Sequence, residues 1–314
     1  MNGVLTIARR RVLTAEGILI SAFIAIFIFF SFASPVFFTP ANLENIGRQT
    51  ALVSIVAVGM TFVIVAGEFD LSVGSTMALA GVVSALAMKN LLPNFLVGAA
   101  AALATGAAVG LVNGLLTTSL RIPSFLITLG SLSIARGIVL LVTNTRPVVI
   151  TNQSYFQIFG EGQLLGLPTP IVWTIIVIAR GVAGLHISSI GGMVYASGGN
   201  QVASLYSGIR VDRVKIATLI LVSTLAGLAG VVLSARSHAA RPDVGAGFEL
   251  DAITAVILGG AALSGGRGTI VGAVVGSLII GMLNNGLVLI GVDPSLQIVI
   301  KGLIIWLSVS ASRL

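Results

Sequence analysis

Blocks of about twenty apolar residues recur along this chain, among them Gly17–Phe32, Ala51–Ala66 and Ile216–Leu233. A helix of that length crosses a hydrocarbon core of about 30 Å while satisfying its own backbone hydrogen bonds. A membrane barrel would instead alternate apolar and polar residues over about ten positions per strand. Composition agrees with the helical reading. The 314 residues are 56% hydrophobic and 9% charged, with a mean hydropathy of +1.09. That leaves too little polar surface to cover a water-exposed globule. The 38 glycines suit close helix–helix approach in lipid. The expected fold is an all-α integral membrane protein, with residues 1–314 forming one transmembrane domain.

Ten helices are expected, at about 17–37, 50–66, 72–90, 95–118, 125–142, 171–188, 216–235, 252–263, 269–290 and 294–310. The run Arg9–Arg11 before the first apolar block resembles a signal peptide, but no small-residue cleavage site follows. A retained first helix is expected, preceded by a cytoplasmic segment 1–16. Placing Arg9–Arg11 in the cytoplasm also places Arg121, Arg210, Arg213, Lys215, Arg267 and Arg313 there. Arg48, Arg146, Arg236 and Arg241 fall outside, so the excess of basic residues is inside, with both termini. The basic residues are scattered singly between apolar blocks, which points to membrane orientation and away from nucleic acid. There is no cysteine, so disulfides and thiolate metal sites are excluded.

The two halves of the chain echo each other. "VNGLLTTSLRIPSFL" at 112–126 parallels "NNGLVLIGVDPSLQI" at 284–298, and "GEFDLS" before the third helix parallels "GFELDA" before the eighth. On the expected topology the matching pieces lie on opposite sides, as an inverted repeat requires and as transporters often have.

Carboxylates are costly at membrane depth, so Glu68 and Asp70 stand out. Asp70 fits an N-cap for the helix that follows, with Gly67 permitting the turn, and Asp251 fits the same role before the eighth helix. The other reading is a proton or cation relay. A relay favours carboxylates within helices, and the sequence lacks a series of them. Ser72 joins these residues as a candidate at the helix break. Arg136, about twelve residues into the fifth helix, could meet a solute's hydroxyls, pair with a carboxylate or snorkel to the outer surface. Asn113, Asn284 and Asn285 could line a path, but bonding between helices is the favoured reading. His238, in an external loop, has no neighbouring ligand set for a metal.

No phosphate-binding loop is present; Gly259–Thr269 imitates one but lacks the Lys-Ser/Thr pair. An ATP-driven process would therefore need its ATPase on another chain. The connection Tyr195–Lys215 is long and cytoplasmic. It opens on Gly198, Gly199 and Asn200, offers a short helix at 201–207 ending at Ser207 and Gly208, and continues through Asp212 and Arg213. Such a helix on the membrane face could dock a partner.

These motifs together resemble the bacterial ABC-transporter permeases for ribose, xylose, galactose and related sugars, a group related to the branched-chain amino acid permeases. The likeness rests on "GEFDLSVGSTMALAG", "GLVNGLLTTSLRIPSFLITLGSLSIARGIVLL", "GGNQVASLYSGIRVDRVK", "LAGLAGVVLSAR", "GFELDAITAVILGGAALSGGRGTIVGAVVG" and "NNGLVLIGVDPSLQIVIKGLIIWLS". It covers nearly all of the chain after the first helix. The resemblance implies a multi-pass inner-membrane subunit without catalytic, cofactor or metal sites, and a second permease copy. It also implies cytoplasmic ATPase subunits that hold the ATP and seat on 198–215, and a periplasmic solute-binding protein. A nucleoside, a branched-chain amino acid or another small polar solute is the alternative cargo; an ion-coupled carrier acting alone is the alternative class. The chain departs from the family pattern twice. Glu68-Phe69-Asp70 replaces the usual Gly-Ile-Asp. In 179–199, Arg180 and His186 interrupt what is usually apolar text, and the usual basic anchor is missing.

Overall fold

A computed structural model describes residues 15–311; the expected segment 1–16, with Arg9–Arg11, lies almost wholly outside them, and so does Arg313. Helices dominate. They are α1 (Ala15–Ala33), α2 (Pro40–Val65), α3 (Val73–Asn90), α4 (Phe95–Leu120), α5 (Ser124–Thr143), α6 (Thr169–Val182), α7 (Ser189–Gly199), α8 (Gln201–Tyr206), α9 (Val211–Arg236), α10 (Phe248–Leu258), α11 (Ile270–Leu289) and α12 (Pro294–Ala311). Among the described residues, α2, α4, α5, α6 with its π-helical extension to Ile187, α9 and α11 are long and apolar enough to cross a membrane. The expected ten spans counted every apolar block alike. Two of those blocks, α3 and α10, follow breaks in the chain, and α10 has only 11 residues.

The helix boundaries shift where polar residues are helical. α2 begins at Pro40, ten residues before the expected start, because Thr39 caps it and Pro40 occupies its first turn. α10 begins at Phe248, and α9 at Val211. α7 replaces part of what reads as a polar loop; its glycines hide a helix capped by Ser188. α4 stops at Arg121 and α5 at Asn144, both in left-handed backbone conformation, and Pro123 precedes α5.

In lipid, apolarity does not mark the centre of a bundle; small and hydroxylated residues do. α2 is the central helix, with every residue from Thr50 to Ala66 buried. Its Ser54 hydroxyl meets that of Ser277 on α11 at 2.6 Å. α9 packs on α3 and α4 from the first half, while α2 packs on α10 and α11 from the second. The glycines sit at these seams. A Cβ on Gly106 or Gly110 of α4 would collide with the Ser223 or Leu219 carbonyl of α9, and one on Gly276 of α11 with the Ala255 carbonyl of α10. Each half thus lends its paired helices to the other half's long helix, the arrangement expected of an inverted repeat.

On the Arg236 side, β1 (Val148–Val149) pairs antiparallel with β4 (Ala239–Ala240). A hairpin of β2 (Gln163–Leu164) and β3 (Leu167–Pro168) turns at Leu165 and Gly166, both with positive φ, as a two-residue turn of the I′ type requires.

Candidate translocation site and candidate coupling segment

α9 serves as a ruler for depth. Near its start, Lys215 pairs with Glu68 at 2.6 Å. Eight residues on, or about 12 Å further along the axis, the Ser223 hydroxyl donates to Asp70 Oδ2 at 3.0 Å. Further along, a Cβ on Gly230 would strike the Met77 carbonyl, and Ser234 joins Ser84 through the Tyr155 hydroxyl. The segment 66–72 therefore climbs from the end of α2 to mid-depth, where α3 starts. The segment 237–247 descends from the other end and releases α10 back toward Val65. The two breaks meet: a Cβ on Gly74 would collide with the Gly245 carbonyl, and one on Gly245 with the Gly74 carbonyl. Two helix N-termini thus begin beside one point near the middle of the bundle, the arrangement in which transporters place their substrate.

The first break is sealed by side chains from neighbouring helices. Asp70 is fully buried, and its Oδ1 accepts from the Ser72 amide at 2.7 Å and the Ser72 hydroxyl at 2.6 Å. Asn113 of α4 donates to the Ser72 hydroxyl at 3.0 Å, and Ser131 of α5 donates to Asn113. The Phe69 and Leu71 amides donate to Ser124 and Thr128 at the start of α5. Ser72, and not Asp70, is the N-cap residue of α3. Asp70 closes an Asx turn onto Ser72 and ties it to α9, because the helix begins only at Val73. Gly67 has φ 82°, the left-handed turn expected of it.

The remaining candidates separate. Asp251 caps nothing: α10 starts three residues earlier behind Gly247, and Asp251 pairs with Lys301 of α12 at 3.1 Å. Arg136 donates to the Pro242 carbonyl at 2.5 Å and so props the second break. Asn285 sits far from the meeting point. It exchanges two amide hydrogen bonds of 3.0 Å with Asn42 of α2, pinning the two helices together. Glu249, which the sequence reading passed over, does lie at the meeting point: a Cβ on Gly74 would come 2.7 Å from its Oε2.

The coupling candidates are contiguous. α7 ends at Gly199, the Asn200 side chain accepts from the Ala203 amide to start α8, and Gly208 (φ 82°) ends it after Ser207. α8 presents Val202, Leu205 and Tyr206 to the exterior, Tyr206 being 91% exposed. Gly198 is pressed against the Val65 carbonyl, which accepts from Gly266 N at 2.8 Å. Asp212 shares a cavity of about 660 Å³ with Glu68, Lys215, Arg121 and Gln201. Glu68 thereby has a partner that sequence alone did not supply: it joins the first break to the start of α9. Arg213 faces a different cavity.

The divergent stretch 179–199 is also built in. Arg180 is exposed in the last turn of α6. His186 Nε2 accepts from the Ile270 amide at 3.2 Å, and the Tyr195 hydroxyl donates to the Gly268 carbonyl at 2.7 Å. Both anchor the start of α11.

Residues 42–309 match the family described as "Branched-chain amino acid transport system / permease component". The chain belongs to that family. The permease is 43% identical over 311 residues to the ribose import permease protein RbsC of Escherichia coli (strain K12), covering 97% of each chain. It is 41% identical to RbsC of Bacillus subtilis (strain 168), over 90% of this chain and 88% of the relative. The L-arabinose ABC transporter permease protein AraH of Azospirillum brasilense is 36% identical, over 93% and 85%. No solved structure matches. The permease is a multi-pass membrane transport component of the ABC-importer class.

Proposed function

We propose that the permease is the membrane subunit of an ATP-driven importer for ribose or a closely related monosaccharide. The observation that carries this reading is the 43% identity, over 97% of both chains, to a ribose import permease. The chain binds no ATP itself; separate ATPase subunits in the cytoplasm hydrolyse it and seat on α8. Both termini are cytoplasmic, a second permease copy completes the pore, and a solute-binding protein docks outside on the connections joined by β1 and β4.

The geometry supports this division of labour. Movement of α8 and the start of α9 reaches the first break through Lys215 and Glu68, and the first break abuts the second at Gly74 and Gly245. Each partner shifts the access equilibrium only by binding one state better than the other. Asp70 and the hydroxyls around it answer one another, which suits a gate for a neutral, hydroxyl-rich solute better than an ion relay.

The test is co-reconstitution in vesicles with the ATPase and the binding protein. ATP-dependent uptake of labelled ribose is expected to exceed that of arabinose, allose and leucine. Uptake driven by an ion gradient without the ATPase overturns the class, and preference for leucine overturns the cargo. Replacing Gln201–Ile209 by a Gly-Ser linker should abolish ATPase co-purification and leave insertion intact.

A further inference from the structure

We infer that the permease binds an anionic phospholipid of the cytoplasmic leaflet in a groove between α7 and α9; the leaflet assignment rests on the orientation proposed above. The groove is a cavity of about 540 Å³. Arg210, Arg213, Ala217 and Leu221 line it from the α9 side, and Met193 of α7 and Phe62 of α2 face them. Both arginines are exposed, and among the described residues neither guanidinium has a hydrogen-bond or ion-pair partner. The neighbouring acid, Asp212, faces the other cavity with Lys215 and Glu68. The mouth therefore carries two unneutralised guanidinium groups over an apolar interior.

The length of the groove selects the ligand. From Arg210 to Leu221 is about 16 Å along the helix, roughly half of a 30 Å hydrocarbon core, or one leaflet. A soluble protein reaches only the mouth. A phospholipid satisfies both ends, with its phosphate on the guanidinium pair and an acyl chain against Ala217 and Leu221.

Native mass spectrometry of the full-length permease in detergent tests this without any partner protein, so failure of the ATPase reading does not affect the result. Phosphatidylglycerol is expected to bind at least tenfold more tightly than phosphatidylcholine of the same acyl chains. Each arginine is worth about fivefold, so Arg210→Gln/Arg213→Gln should weaken phosphatidylglycerol about twenty-five-fold and phosphatidylcholine, whose phosphate is offset by its own ammonium, much less. Ala217→Phe, which fills the groove, should weaken phosphatidylglycerol with both arginines present. Inorganic phosphate should not compete, because the acyl chain is needed. Equal binding of the two lipids, wild-type phosphatidylglycerol affinity in the double arginine variant, or competition by phosphate overturns the site. If the double variant loses ATPase co-purification yet keeps its lipid, the arginines serve a protein contact and the inference fails.

Discussion

The two breaks occupy equivalent places in the two halves but are held differently. Segment 66–72 is sealed inside the bundle by Ser124, Thr128, Asn113 and Ser223, drawn from three helices. Segment 237–247 starts at the surface and runs in to Gly74. It is held by the β1–β4 pairing, by His238 stacked on Phe156 and bonded to Glu161, and by Arg136 on the Pro242 carbonyl. Its own ion pair, Arg241–Asp243, is solvent-exposed. A buried hydrogen bond contributes about 1 kcal/mol and leaves a costly orphan when one partner is lost. An exposed ion pair contributes between about 0 and 1 kcal/mol. The first break is thus a rigid joint linked to the start of α9, and the second is the weaker, more easily opened of the two.

Thermal unfolding in detergent should rank the supports in that order. Lys215→Ala leaves Glu68 buried and unpaired, and about 3 kcal/mol should be lost. Adding Glu68→Leu should recover most of it; no recovery would show that the pair does not bridge the break. Asp70→Ala strands the Ser72 amide and the Ser223 hydroxyl and should cost about 2 kcal/mol. Arg136→Gln should cost about 1 kcal/mol and speed hydrogen exchange at 241–247 alone. Faster exchange at 66–72 as well would mean that the breaks open together. Arg241→Ala should leave the unfolding temperature unchanged. Its one effect should be on Asp243, whose carboxyl is held below its ordinary range chiefly by the hydrogen bond from Arg241. Removing that guanidinium should let the Asp243 pKa rise, and a titration of the loop that stays put would contradict the pairing.

Most of the helices were legible because each apolar block must satisfy its backbone by itself. Glu68 and Asp70 lie between α2 and α3, whereas Asp251 lies inside α10. Partners across the bundle were not legible. Nothing local to Glu68 names Lys215, far along the chain, and an asparagine such as Asn285 reads as an interhelical bond without naming Asn42 as its partner. α7 was hidden because Gly191, Gly192, Gly198 and Gly199 read as loop. Two of them are close-packing sites: a Cβ on Gly191 would strike the Leu185 carbonyl, and one on Gly198 the Val65 carbonyl. Asp70 was placed as a cap because the sequence gives the residue type but not the point at which the chain turns helical.

The row Gly106, Gly110 and Gly114 lays α4 backbone directly against α9 over two turns. Interlocking side chains fix both the spacing and the register of two helices; a bare backbone track fixes only the spacing. α9 supplies the stops along that track: the Ile216 side chain lies on Gly114, and Ser223 is linked to Asn113 of α4 through Asp70 and Ser72. The seam is a rail with a latch: its bare backbone sets how close the helices run, and the polar bridge sets where along each other they stand.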